Sequence, residues 1–268
     1  MFRKKIVAKQ IIHFAHANGF PARTYNKLFS FLEPRFEIRY LERHAHDPKF
    51  PVTEGWPSLK DELRASIEKD FEKPVIGLGH SLGGILHLLV SIEKPQLYKQ
   101  IILLDAPIIS RFSSSSIRVL KAINLMDRFS PSRMTRSRRN LWKSREEAYE
   151  HFKAKPKFAA FDDDMLRDYI EYGTVETDDG FCLFFDPNVE ADIYRYLPDN
   201  LPSLRGKLTV PITYIGGFKS MEARLARLSF MKNHFPIDFL FIPGSHLFPL
   251  ETPHAAAAAI ESILTKSE

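Results

Sequence analysis

The sequence predicts a mostly parallel α/β sheet with helices on both faces and an inserted helical segment. Three observations carry that prediction. Short apolar runs alternate with helix-period stretches along most of the chain. A long charged and aromatic stretch in the middle lacks the pattern of a buried strand. A glycine-rich turn joins one apolar run to a helix that is apolar almost all round.

Taken in order, residues 10–15, 36–41, 74–78, 100–104, 208–215 and 237–242 read as strands bounded by turn or polar residues. Residues 25–32 and 59–71 are amphipathic at helical spacing, and residues 81–93 form a buried helix. Residues 221–235 and 253–265 complete the set. Parallel strands need crossover connections, which these helices supply. The N-terminus starts positive, like a secretory signal, but Lys9, His13 and His16 interrupt its apolar stretch and no small-residue cleavage site follows. It reads as the approach to the first strand of a cytoplasmic protein. The stretch from about Ile109 to Arg205 reads as a mostly helical lid between two strands of one domain. The expected division is a core of residues 1–108 and 206–268 with a cap of 109–205. Residues 111–157 hold 13 Lys/Arg against 4 Asp/Glu, while residues 162–164 and 171–179 are acidic.

Composition narrows the classes. The chain has 268 residues, 44% hydrophobic and 26% charged, which suits one large domain or two small ones with a real core. A disordered, collagen-like or disulfide-stapled chain is excluded. With one cysteine, Cys182, no intrachain disulfide can form, and a reducing compartment follows. A net charge of +5 is too small to imply nucleic acid, and no aromatic–basic platform accompanies it. No segment approaches the roughly 20 apolar residues of a membrane span.

Gly79-His80-Ser81-Leu82-Gly83 is a G-x-S-x-G turn between a strand and a buried helix. Such a turn presents the serine at the strand's C-terminal end, and its glycines remove side chains that would collide. The helix N-terminus aims backbone N–H groups at the same place, where negative charge would develop. A competing reading takes Gly77, Gly79 and Gly83 with Asp105 as a dinucleotide-binding turn, although Leu82 occupies the place of the third glycine. A structural turn with an inert serine is the third reading.

The first strand ends in His16-Ala17-Asn18-Gly19-Phe20-Pro21. With this loop and the Ser81 turn, the chain resembles an α/β-hydrolase with a cap over its whole length, closest to a poorly characterised bacterial branch. The resemblance implies an oxyanion hole from Leu82 N–H and Asn18, by backbone or side chain, with Ala17 where the family usually has glycine. A packing turn is the alternative. It implies that His246, between the last strand and the last helix, is the general base, with His254 in reserve. His80 then flanks the nucleophile and His13 is packed. The usual acid position holds Ser220 instead. Glu222 lies two residues on, and Asp105, after the strand next to the elbow strand, stands at the family's other acid position. Both remain open, as does a Ser–His dyad.

The expected chemistry is hydrolysis of a small-molecule carboxylic ester or thioester through an acyl-enzyme on Ser81, with no cofactor and no metal. An acyltransferase, a catalytically weak binding protein on the same scaffold and a dinucleotide-binding oxidoreductase are the alternatives. Among 22 phenylalanines, Phe20, Phe218 and Phe248 flank the site loops and suggest an apolar acyl pocket. Arg133, Arg136, Arg138 and Arg139 are either a solvated face or a handle for an anionic substrate group.

Overall fold

The computed structural model describes residues 9–70 and 73–266. The reading of the first eight residues lies outside them. The strands are β1 (Gln10–Ala15), β2 (Phe36–Tyr40), β3 (Val75–His80), β4 (Tyr98–Leu104), β5 (Leu141–Trp142), β6 (Thr174–Thr177), β7 (Gly180–Leu183), β8 (Ile212–Gly217) and β9 (Ile237–Ile242). Six of them form one sheet in the order β2-β1-β3-β4-β8-β9. Every neighbouring pair in it is parallel. The sheet is buried on both faces, and alternation along β4 shows how. Ile101 and Leu103 pack with the helices of residues 57–70 and 82–93, while Ile102 and Leu104 pack with those of residues 26–32 and 253–266. Each such aliphatic side chain contributes about 1.5–3 kcal/mol by burial.

Two elements depart furthest from the sequence reading, while the ends of the others shift by two residues or fewer. The strand expected at 208–215 starts only at Ile212, because Pro211 has no N–H to give to a ladder, and runs on through Gly217. The helix expected at 221–235 is two helices, Met221–Ala226 and Leu228–His234, split where Arg227 turns left-handed with φ 57°.

Between β4 and β8 the chain forms helices Arg111–Ala122, Met126–Phe129, Ser132–Arg136, Arg145–Lys153, Asp163–Gly173 and Pro187–Arg195. Ser110, Ser144, Asp162 and Asp186 cap the four longest of these by accepting backbone N–H groups. The segment also holds a sheet that the sequence reading lacked, antiparallel in the order β5-β7-β6. Its strands are two to four residues long, too short to show an alternating pattern. None of them joins the six-stranded sheet.

This insert rests on loops that follow the C-terminal ends of β1 and β2. Asn18 Nδ2 donates to the Glu190 carbonyl at 3.0 Å, Arg43 donates to the Phe184 carbonyl, and Trp56 Nε1 donates to the Ile193 carbonyl at 3.1 Å. Its Trp142, Phe152 and Tyr169 belong to the same apolar cluster as Phe14 and Ile215 of the sheet. Phe185, Ile193 and Leu201 belong to the cluster on the other face. Among the described residues no helix is long and apolar enough to cross a membrane.

Candidate active site

Ser81 stands between β3 and the helix Leu82–Glu93 with φ 52° and ψ −113°. A residue with a Cβ is strained there, and the surroundings hold it in place. Ser81 N donates to the Leu104 carbonyl at 3.0 Å, and Ile85 N donates to the Ser81 carbonyl at 3.2 Å. The glycines of the turn are there for space. A Cβ on Gly79 would lie 2.4 Å from Gly84 N, and one on Gly83 would lie 2.1 Å from the Ala15 oxygen. Close packing of strand against helix accounts for both glycines without a bound nucleotide.

Asp105 follows β4 and is fully buried. It too has a positive φ, 43°. Its Oδ2 lies 2.7 Å from His246 Nδ1 and accepts the Ser220 hydroxyl at 2.5 Å, while Oδ1 accepts the Tyr214 hydroxyl at 2.6 Å. Burial, reinforced by the neighbouring Asp105 charge, pushes the Tyr214 phenol far above its usual range, so it stays a donor. Glu222 reaches His246 Nδ1 only at 4.0 Å, and its side chain is half exposed. Of the two candidate acids, Asp105 has hydrogen-bond geometry to the imidazole. Asp105, Glu222 and His246 bring one potential ligand atom each within 4.8 Å of one another. Both Asp105 oxygens are already engaged by Tyr214, Ser220 and His246, an arrangement suited to holding an imidazole rather than to enclosing a cation.

His246 sits in the loop after β9. That loop is braced by Glu251, which accepts from Ser245 N at 2.7 Å and from the Ser245 hydroxyl. Gly217 is a glycine because a Cβ there would lie 2.3 Å from the Ser245 oxygen. A second brace runs through His80, whose Nε2 pairs with the His246 carbonyl at 2.9 Å and whose Nδ1 pairs with the Tyr25 hydroxyl at 2.7 Å. The carbonyl can only accept, so Nε2 carries the proton and Nδ1 accepts from Tyr25. Burial, and next the proximity of His246, lowers the His80 pKa well below the usual histidine range, so the ring stays neutral.

The loop after β1 is tied to the elbow, since Gly83 N donates to the His16 carbonyl at 3.2 Å. The Asn18 side chain is committed to the Glu190 carbonyl. The backbone N–H groups of Asn18 and Leu82 have no acceptor among the described residues. Ser81, these two amides and the imidazole held by a buried carboxylate all stand on turns that follow the C-terminal ends of strands β1, β3, β4 and β9. A family model described as the alpha/beta hydrolase family matches residues 14–259.

The chain belongs to the alpha/beta hydrolase family.

Solved structures agree with this hydrolase in fold. It is 18% identical to E-2-(acetamidomethylene)succinate hydrolase, with TM-score 0.77, covering 96% of this chain and 92% of that one. It is 13% identical to the thioesterase domain from the curacin biosynthetic pathway, with TM-score 0.70 and coverages of 94% and 90%. MenH from S. aureus is 15% identical, with TM-score 0.68 and coverages of 99% and 97%. No curated protein matches the sequence.

Other residues of this hydrolase fall away from the site. His254 is exposed and edges against Phe31, while His13 is packed in the core. Phe20 and Phe248 are core residues and Phe218 is 70% exposed, so the three do not form a common pocket. The arginine cluster is dispersed onto acids of the insert: Arg136 pairs with Asp192, Arg138 with Glu190 and Arg139 with Glu147. An open cavity of about 460 Å³ near Arg111, Arg205 and Arg227 lies apart from Ser81.

Three supports were not foreseen in the sequence: Tyr214, the His80–Tyr25 pair and Glu251. A phenol inside a buried strand is the signal that could have found Tyr214. Beneath the loop after β1 lies a further buried group. His44 N donates to His16 Nε2 at 2.9 Å, and Ala45 N donates to Glu62 Oε2 at 2.8 Å. His44 Nδ1 is 3.6 Å from that carboxylate oxygen. Burial pushes Glu62 up to about 7 and His44 down to about 3.

Proposed function

We propose that this hydrolase cleaves a carboxylic ester or thioester through an acyl-enzyme on Ser81, with His246 as general base and Asp105 as the carboxylate that orients it. The observation that carries the proposal is the 2.7 Å contact between His246 Nδ1 and the buried Asp105. With Nδ1 engaged, Nε2 is the nitrogen left to move protons. Ser81 Oγ attacks the carbonyl carbon while His246 Nε2 takes the hydroxyl proton. The carbonyl oxygen becomes negative and accepts from Leu82 N–H and Asn18 N–H. Collapse expels the alkoxide or thiolate, which receives the proton from His246. Water then repeats the sequence, with His246 as base, and releases the acid.

Two neighbours of the same fold support the choice of acyl chemistry by their names, a thioesterase domain and a succinate-derivative hydrolase. In this reading residues 109–205 are a lid over the core of residues 1–108 and 206–268. A reducing, cytoplasmic setting suits the free thiol of Cys182.

The test is labelling with a fluorophosphonate, followed by assay on 4-nitrophenyl butyrate. Wild type should be labelled and active, and Ser81→Ala should be neither. An unlabelled wild type, or a Ser81→Ala variant at most of the wild-type rate, overturns the assignment.

A further inference from the structure

An open cavity of about 460 Å³ lies where the two ends of the segment between β4 and β8 meet the pair of helices that follows β8. Its size is that of a small-molecule site. Arg111 lines it from the start of the helix Arg111–Ala122, and Arg205 from the stretch before β8. Arg227 lines it from the break between the helices Met221–Ala226 and Leu228–His234. Phe112, Phe230 and Asn233 also stand on its wall.

The charge of this cavity is one-sided. No residue on its wall is acidic. Among the described residues, none of its three arginines has an ion pair or a side-chain hydrogen bond, and the Arg227 guanidinium lies 4.7 Å from the centroid of the Phe112 ring. Arginines elsewhere in the insert behave differently: Arg118, Arg136, Arg138 and Arg139 each meet a carboxylate. A second cavity of about 330 Å³ shares Arg111, yet Asp199 stands on its wall and pairs with Arg118 at 3.6 Å. Arg227 is also held at φ 57°, in the left-handed region that favours glycine, so the chain bears a conformational cost to set a guanidinium there. The rest of the wall is flat and apolar. Phe230 stacks on His234 with 4.5 Å between ring centroids, and Phe112 is 65% exposed.

We propose that this cavity binds a nucleotide with at least two phosphates, the phosphates on Arg111, Arg205 and Arg227 and the base against Phe112 and Phe230. The planar fork of a guanidinium matches two phosphate oxygens at once. A single phosphate group carries about −1.5 to −2 at pH 7, so three unopposed guanidiniums call for more than one. The rings answer the other half of the ligand, because a base stacks on an aromatic side chain by its π face. Asn233 offers both a donor and an acceptor to the base or the ribose. The cavity shares no residue with Ser81, Asp105 and His246, nor with the glycines of the turn before them. The site therefore stands or falls independently of the acyl-enzyme reading.

The experiment is calorimetric titration of the full chain with ADP, pyrophosphate and adenosine at physiological ionic strength. Wild type should bind ADP at least about fivefold more tightly than pyrophosphate, the lower end of base stacking, and adenosine more weakly still. Arg111→Gln, Arg205→Gln and Arg227→Gln should each weaken ADP binding at least about tenfold, the scale of a hydrogen bond to a charged group. Arg133→Gln removes the same charge from an exposed arginine off the cavity and should leave the affinity unchanged. Arg227→Gly separates the guanidinium from the backbone: it relieves the left-handed angle, so it should raise Tm while weakening ADP binding as Arg227→Gln does. Four results overturn the proposal: no binding of ADP to wild type, pyrophosphate or adenosine bound as tightly as ADP, unchanged affinity in the three cavity variants, or an equal loss in Arg133→Gln.

Discussion

Ser220 donates its hydroxyl to Asp105 Oδ2 at 2.5 Å, the same oxygen that faces His246 Nδ1. The turn after β8 thus contributes a neutral donor, while the carboxylate comes from the end of β4. Ser220 Oγ also accepts from Ala223 N at 3.0 Å and caps the helix Met221–Ala226. Ser220→Ala should cost about 1 kcal/mol through the lost cap, read by denaturant unfolding. Ser220→Asp should be worse. It sets a second carboxylate against Asp105, and like charges that close raise the pKa of one of them. The expected result is a lower Tm and an acid limb of kcat/KM that moves to higher pH.

Asp105→Asn and Glu222→Gln separate the two acids. Asp105→Asn keeps the shape and removes the charge that holds the imidazole, so kcat on 4-nitrophenyl butyrate should fall by up to about 10⁴, as in the trypsin triad. Glu222→Gln should change kcat less than about threefold, since an exposed charge contributes little. The reverse ranking would transfer the role to Glu222.

Ser81 is held at a backbone angle that glycine tolerates and serine does not. Ser81→Gly should therefore abolish labelling while raising stability by about 1–3 kcal/mol, the cost of such strain. Ser81→Ala keeps the Cβ and should be inactive without a comparable gain. Calorimetric Tm values for the two variants, side by side, check the contrast.

The buried carboxyl of Glu62 ties stability to pH. Its folded value of about 7 lies above its ordinary 4.5, so between those limits the folded chain keeps a proton that the unfolded chain has lost. That contribution is complete below about pH 4.5, falls as pH rises to about 7 and is gone above, a swing of order 3 kcal/mol. The histidines oppose it. His13 and His44, lowered to about 3, cost stability as pH falls below 6.5. Glu62→Gln should remove only the first trend. The difference in unfolding free energy between wild type and Glu62→Gln should change steadily from about pH 4.5 and level off above about 7, and a pH-independent difference would count against a raised Glu62.

The sheet was legible because parallel strands covered on both faces announce themselves as apolar runs. The elbow was legible because Gly79 and Gly83 meet a spatial demand with no substitute. The place of His246 in the loop after the last strand could be read from the order of the elements. Which of Asp105 and Glu222 stands within hydrogen-bond reach of it could not, because that depends on how far the turn after β8 stands from the end of β4, and neither spacing nor composition encodes that distance. The bracing by Tyr214 and Glu251 was hidden for the same reason. The short strands of the insert escaped because β5, β6 and β7 have too few residues to alternate, and the turn chemistry at Gly180, with φ 127°, was their only local sign. The partners of the arginine cluster were hidden because adjacency in sequence says nothing about them: Asp192 and Glu190 lie more than 50 residues along the chain from Arg136 and Arg138, and Glu147 lies eight from Arg139.

The apolar side chains of the insert belong to the same two clusters as the strands beneath them. Parting Trp142, Phe152 and Tyr169 from Phe14 would open the hydrophobic interior they share, so the segment between β4 and β8 is anchored to the sheet by that interior. The helix Arg111–Ala122 is the part least bound to it, with Phe112 and Val119 facing water, and local opening of the segment should begin there.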